Sequence, residues 1–255
     1  MKLKGSKKNM ASMNNMVYER PYMVNTYETD TSGRLTIHSL FNYLQDAASR
    51  HASVLNLGKE DLDNENRFWV LSRILVNMDK MPVWEEEITL KTWPRGTDKL
   101  FALRDFEICG FDGKKYGGAT SCWLIVNREN RRPVRPYSIL EKLGAEMNKD
   151  SSLDRYPSKI MKPANISYES QVSPVKYSDL DINMHVNNAQ YIKWVIDSYP
   201  LDFILGHRFK SAEVNYLSES LPGDEIVVFA SESGDKIFDH IILSKNDNRE
   251  LFIQQ

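Results

Sequence analysis

Apolar positions along this chain follow two periods, and they change from one to the other in the same order twice. After Thr36, a residue suited to capping a helix, Leu40, Leu44 and Ala47 or Ala48 recur at helical spacing. Beyond the polar stretch KEDLDNENR the period becomes two, with Val70, Ile74, Val76 and Met78 on one face of WVLSRILVNMD. EEITLKTW, FALRDFEIC and GATSCWLIVN follow as strands rich in β-branched and aromatic residues, with a tight turn at Asp112-Gly113. In the second half Asn187 is placed to cap a helix carrying Tyr191, Ile192, Val195, Ile196 and Tyr199. FKSAEVNYL, EIVVFA, IFDHIILS and ELFIQQ then read as strands.

The two halves align as copies. A shift of 151 positions (181 − 30) places Asp30 on Asp181 and LFNYLQDA on YIKWVIDS. Pro82 of MPVWEEEI meets Pro222 of LPGDEI at a shift of 140 (222 − 82), a change that a shorter loop after the second helix explains. Each copy reads as an α+β unit whose antiparallel sheet wraps around one long helix, with an apolar channel along the seam. The copies are expected over 16–127 and 175–255, joined by a connector over 128–174 with a short helical pattern near residues 139–147. Residues 1–15, with four lysines and no acid, read as a disordered leader.

Charge and composition narrow the classes. A net charge of −2 gives no electrostatic footprint for nucleic acid or a membrane surface, and no apolar run reaches membrane-span length. Without the apolar core of a secretory signal the protein is expected in the cytoplasm. Cys109 and Cys122 each sit in a strand-like run without zinc spacing, and read as small buried hydrophobes.

One polar string interrupts the pattern. Asp181, Asn183 and His185 alternate along DLDINMHVNN, on one side of an extended segment that leads into the second helix. The first copy carries Ser32 and Arg34 where the second has Asn183 and His185, so a site is expected in one copy only. Asp orients or attacks, Asn donates hydrogen bonds, His moves protons near neutral pH, and helix N-terminal N–H groups can hold an oxyanion. From spacing alone the string is equally open to a turn and a cap. No G-x-S-x-G elbow, glycine-rich phosphate loop or second metal-ligand cluster accompanies it. His38, His51, His207 and His240 show no matching constellation and read as surface or core residues. In RENRRPVRP, Arg128, Arg131, Arg132 and Arg135 face a single glutamate. They read either as a solvated linker or as a docking strip for an acidic partner.

YETDTSGRLTIHSLFNYLQDAASRHA, RFWVLSRILVNMD, MPVWEEEITLKTW, SCWLIVNRENRRPVR and above all SDLDINMHVNNAQYIKW resemble the acyl-acyl-carrier-protein thioesterase family, over nearly the whole chain. The resemblance implies a tandem double hotdog fold, the first copy being the acyl-pocket half and the second the catalytic half, and hydrolysis of a fatty acyl thioester carried on acyl carrier protein, with no cofactor and no metal. It puts the family's catalytic Asp, Asn, His and Glu on Asp181, Asn183, His185 and Glu219. Many plant members have a Cys after that Glu; here the position is Ser220, which removes a thiol nucleophile. The expected chemistry has Glu219 and His185 activating water and Asn183 with helix N–H groups holding the substrate. Asp181 either orients them or attacks the carbonyl. The carrier is acidic in this family, which favours the four arginines as its docking strip. A hotdog thioesterase acting on acyl-coenzyme A and a non-catalytic acyl-binding module are the rival readings. Chain length and oligomeric state, a homodimer included, are left open.

Overall fold

The computed structural model describes residues 16–136, 150–163, 168–170 and 173–255. The expected leader and the helical pattern near 139–147 lie outside the described residues. The first copy runs β1 (Tyr18–Met23), α1 (Ile37–Val54), α2 (Lys59–Asn64), β2 (Arg67–Met78), β3 (Glu87–Asp98), β4 (Phe101–Gly110) and β5 (Lys115–Asn127), then the short β6 (Pro133–Val134). The second contains β7 (Tyr168–Glu169), β8 (Ser173–Pro174), α3 (Asn188–Asp197), α4 (Leu201–Gly206), β9 (Ser211–Tyr216), β10 (Glu225–Gly234), β11 (Ile237–Ser244) and β12 (Glu250–Gln254).

The helices start where their caps dictate. The Thr36 hydroxyl accepts from Ser39 N at 3.2 Å, and the Asn187 side chain accepts from Ala189 N at 3.0 Å. α1 buries Leu40, Phe41, Leu44, Ala47 and Ala48 against the sheet, and α3 buries Tyr191, Ile192 and Val195. Small alanines on the buried stripe of α1 let it lie close to the strands that curl around it.

Among the described residues the strands form a single sheet rather than two separate ones, in the order β1-β3-β4-β5-β2-β9-β12-β11-β10-β7, with β6 on β5 and β8 on β10. The junction is the antiparallel pair β2–β9, running from Arg73↔Asn215 to Asn77↔Ser211. With β2 equivalent to β9, β3 to β10, β4 to β11 and β5 to β12, the order reads the same from both ends, as a pseudo-twofold axis between β2 and β9 requires. Pairing these edges satisfies ladder groups that each copy alone would leave open. Across the same axis, Asn187 Nδ2 donates to Asn42 Oδ1 at 3.4 Å and Asn188 Nδ2 to Gln45 Oε1 at 3.2 Å, tying the start of α3 to α1. One hydrophobic core runs through both copies, from Leu40, Leu44 and Phe106 to Tyr191, Ile192 and Phe252.

The stretch expected as a connector is partly structural. β7 and β8 pair with β10 as β1 pairs with β3, so Tyr168–Glu169 and Ser173–Pro174 take the place of the first strand in the second copy. Residues 150–160 cross the sheet on the face away from the helices. Ser152 N donates to Asp105 Oδ2 at 2.8 Å and Trp93 Nε1 to Asp150 O at 3.0 Å. Further on, Ser158 and Arg155 bond the buried Glu213, and Asn215 Nδ2 donates to Ser158 O at 2.9 Å. Without this strap Glu213 and Asn215 would be buried without partners. Among the described residues no helix is long and apolar enough to cross a membrane.

Candidate active site

The Asp181–His185 segment is a closed loop. An isolated bridge pairs Leu180 with Val186, Asp181 N donates to His185 O at 2.7 Å, and Met184 N donates to Asp181 O at 3.0 Å. Inside it Asp181 Oδ1 accepts from Asn183 N at 2.7 Å and His185 N at 3.2 Å, and Asn183 Nδ2 donates to Asp181 Oδ2 at 3.3 Å. The same loop recurs in the first copy. Thr29 bridges Leu35, Asp30 N donates to Arg34 O at 2.7 Å, and Asp30 Oδ1 accepts from Ser32 N at 2.7 Å and Arg34 N at 3.0 Å. Even the left-handed position coincides, Gly33 with φ 74° and Met184 with φ 63°. The Asp is therefore common to both copies as the acceptor that closes the loop, and the copies differ in what the loop displays. Ser32 Oγ donates to Asp30 Oδ1 at 2.6 Å and accepts from Arg34 Nη1 at 2.7 Å, so the first copy's polar groups are spent on one another.

In the second copy His185 Nδ1 lies 3.6 Å from Glu219 Oε1, both side chains being partly exposed. Glu219 is 34 positions (219 − 185) further along, in the turn after β9. The structure thus brings Asp181, Asn183, His185 and Glu219 to one wall of a groove of about 680 Å³. The opposite wall comes from the first copy: Gln45, Ser49 and Ala52 of α1, Lys59 and Asp63 of α2, and Phe68 and Trp69 of β2. Through Ser49, Ala52, Trp69 and Trp123 the groove adjoins a smaller apolar pocket of about 80 Å³, lined also by Ala48, Leu55 and Leu57. The capped start of α3 has already committed Ala189 N to Asn187, so that N–H, unlike the general expectation for a helix start, is not free for an oxyanion.

Ser220 is fully buried, its Oγ and N both hydrogen-bonded to the Tyr191 hydroxyl at 2.9 and 3.0 Å, beneath the site rather than in it. Cys109 and Cys122 are free, buried and outside the groove lining. Burial pushes the Cys122 thiol up to about 12 and raises Cys109 as well.

The arginines divide. Arg128 pairs with Asp63, and the guanidinium groups of Arg128 and Arg131 lie 5.1 and 5.6 Å from the Phe68 ring, at the groove. Arg132 and Arg135 are exposed and do not line it. Sequence reasoning expected the acyl pocket in the first copy but named none of the residues of its wall, for which the signal is a cluster of aromatics at Phe68, Trp69 and Trp123. It also set His51 aside, whose Nδ1 lies 2.9 Å from Arg104 Nη1 across 53 positions of chain.

Two copies wrapped on their helices and a shared sheet define a tandem hotdog protein, with a groove between its halves. Family models described as acyl-ACP thioesterase N-terminal domain and C-terminal domain match residues 15–143 and 162–253, and the chain belongs to the acyl-ACP thioesterase family. It is 28% identical over 218 residues to a chloroplastic palmitoyl-acyl carrier protein thioesterase of Gossypium hirsutum, covering 80% of this chain and 52% of that one. To oleoyl-acyl carrier protein thioesterase 2, chloroplastic, of Arabidopsis thaliana it is 28% identical over 226 residues, covering 81% and 60%. The chain thus spans a little over half the length of these relatives. An acyl-ACP thioesterase from Bacteroides thetaiotaomicron superposes with a TM-score of 0.78 at 30% identity, covering 96% of this chain and 98% of that one. The 12:0-ACP thioesterase of Umbellularia californica shares the fold, with a TM-score of 0.83 at 21% identity, covering 94% of this chain and 96% of that one.

Proposed function

We propose that this protein hydrolyses fatty acyl thioesters of acyl carrier protein to free fatty acid and carrier. The observation that carries this reading is the His185–Glu219 pair at a groove that continues into an apolar pocket of the other copy. Glu219, with His185 beside it, takes a proton from water as the water oxygen attacks the thioester carbonyl. Asn183 and His185 hold the resulting oxyanion. When the carbonyl reforms, the C–S bond breaks and the carrier leaves as a thiolate of pKa about 8.5, which needs little protonation to depart. Asp181 acts through the loop: its Oδ1 is committed to two backbone N–H groups, and Asp30 does the same where Asn and His are missing. It is a positioning residue in this mechanism.

Arg128 and Arg131 stand at the groove and suit an acidic carrier. Reversing both charges should raise the KM for acyl-carrier-protein substrates and flatten its salt dependence, leaving kcat unchanged. The deciding experiment compares one acyl chain on acyl carrier protein and on coenzyme A, scored by fatty acid release. Faster release from coenzyme A would favour the coenzyme A enzyme, and saturable binding without any release would favour an acyl-binding module.

A further inference from the structure

The apolar pocket leading off the groove has a charged side chain in its wall. Arg104 lies on the helix-facing side of β4, in line with Ala102 and Phe106, and lines the pocket together with Ala48, Ala52 and Trp123. Its Nη1 donates to His51 Nδ1 at 2.9 Å and to Thr92 Oγ1 at 3.1 Å. Both partners are neutral. Burial, helped by the Arg104 charge, pushes the His51 ring down to about 3, and the Thr92 hydroxyl is itself donated to Asp105 O at 2.9 Å. Burial draws Arg104 down to about 10, which leaves it protonated at neutral pH. His51 is braced by stacking on Tyr18, with ring centroids 5.5 Å apart.

What Arg104 lacks is an anion. Among the described residues no carboxylate lies within ion-pair distance of it, and its Nε and Nη2 have no protein partner. Asp105, the next residue, faces the other side of the sheet and is held there by Arg95 and by the strap at Ser152. Half-buried in the pocket wall, the guanidinium has only water for its remaining N–H groups, and the tail of an unsubstituted fatty acyl chain would displace that water without supplying an acceptor. A carboxylate matches the planar N–H fork, and a hydroxyl offers a weaker acceptor of the same kind.

We propose that Arg104, braced by His51 and Thr92, is a specificity-determining residue that receives an oxygen-bearing group, a carboxylate best, at the far end of the acyl chain. The inference rests on the thioesterase reading for which end of the substrate enters the pocket. The site itself rests on the unpaired guanidinium.

Two assays separate the inference from that reading. In the first, matched series of free monocarboxylic and α,ω-dicarboxylic acids displace an apolar fluorescent probe, so no turnover is needed. In the second, ω-carboxyacyl, ω-hydroxyacyl and unsubstituted acyl groups of equal length are presented on acyl carrier protein. The expected result is one chain length at which the second carboxylate improves displacement and kcat/KM about tenfold or more, the hydroxyl giving a smaller gain. Arg104→Met should abolish that preference, and Arg104→Lys, which keeps the charge but loses the fork, should keep part of it. A wild-type protein indifferent to the distal oxygen at every length overturns the proposal. So does a preference that survives in Arg104→Met. If the Met variant does not fold, the wild-type comparison and Arg104→Lys still decide. Absence of hydrolysis with every thioester would defeat the thioesterase reading alone, since the displacement series continues to test the pocket.

Discussion

If Asp181 works by closing its loop rather than by attacking the substrate, replacing it with Asn and with Ala should have very different effects. Asn keeps an oxygen that can accept from Asn183 N and His185 N, now at 2.7 and 3.2 Å, whereas Ala removes both bonds. Hydrogen bonds to a charged acceptor contribute about 1.5–3 kcal/mol each when shielded, and partial exposure reduces the pair to a total of about 1–3 kcal/mol. Asp181→Ala should therefore lower the melting temperature by about 2–8 °C and cut turnover about a hundredfold or more, because Asn183 and His185 lose their placement. Asp181→Asn should retain stability to within about 1 kcal/mol and lose about tenfold in turnover, the remaining loss coming from the amide that now faces Asn183 Nδ2. Asp30 supplies an internal control. Asp30→Ala breaks the equivalent bonds of 2.7 and 3.0 Å and should show a similar fall in melting temperature with near-normal turnover. The carboxyl of Asp30, although burial alone would raise it, is held below the usual range by Ser32 and by the Arg34 and Ser32 N–H groups. Its folded-state pKa being depressed, its stabilisation is present above the unfolded value and is lost as pH falls through the folded one. The difference between wild type and Asp30→Ala should accordingly shrink in acid. The assays are thermal unfolding and steady-state hydrolysis of one acyl thioester. An Asp181→Asn enzyme that folds normally yet is as inactive as Asp181→Ala would refute the reasoning and return Asp181 to the role of nucleophile.

Other expectations are more local. His185→Ala and Glu219→Gln should each reduce turnover about a hundredfold or more with little change in melting temperature, since both side chains are partly exposed; wild-type rates in either would remove the pair from the mechanism. Ser220→Ala should keep most activity but lose about 1 kcal/mol in denaturant unfolding, because the Tyr191 hydroxyl keeps its N–H donor and loses Ser220 Oγ. A dead Ser220→Ala enzyme would contradict this. Gly33→Ala should cost about 1 kcal/mol from left-handed backbone strain alone, as an added Cβ meets nothing within 4 Å. Met184→Gly at the equivalent position should gain a fraction of that; a loss of stability there would show that the two loops are not energetically alike.

Much of the architecture was legible from one-dimensional pattern, because helix and strand periods and caps are short-range properties. Thr36 and Asn187 begin helices, and the shift of 151 residues reappears as two loops with the same hydrogen bonds around Asp30 and Asp181. The asymmetry between Ser32 with Arg34 and Asn183 with His185 was equally visible, since it requires only a register. Glu219 was different: nothing in its spacing from His185 pointed to it, and only the family resemblance did. Contacts between distant segments escaped altogether. The β2–β9 junction depends on which edges two curled sheets leave free, and the strap over Glu213 and Asn215 on the path of a polar segment without period. Arg104 and His51 lie 53 residues apart, on a strand and a helix whose meeting is set by how the sheet wraps. Local sequence determined which elements exist and which loop displays Asn183 and His185. Tertiary structure decided what faces that loop and where the groove runs, because burial and charge pairing depend on neighbours brought together only by the fold.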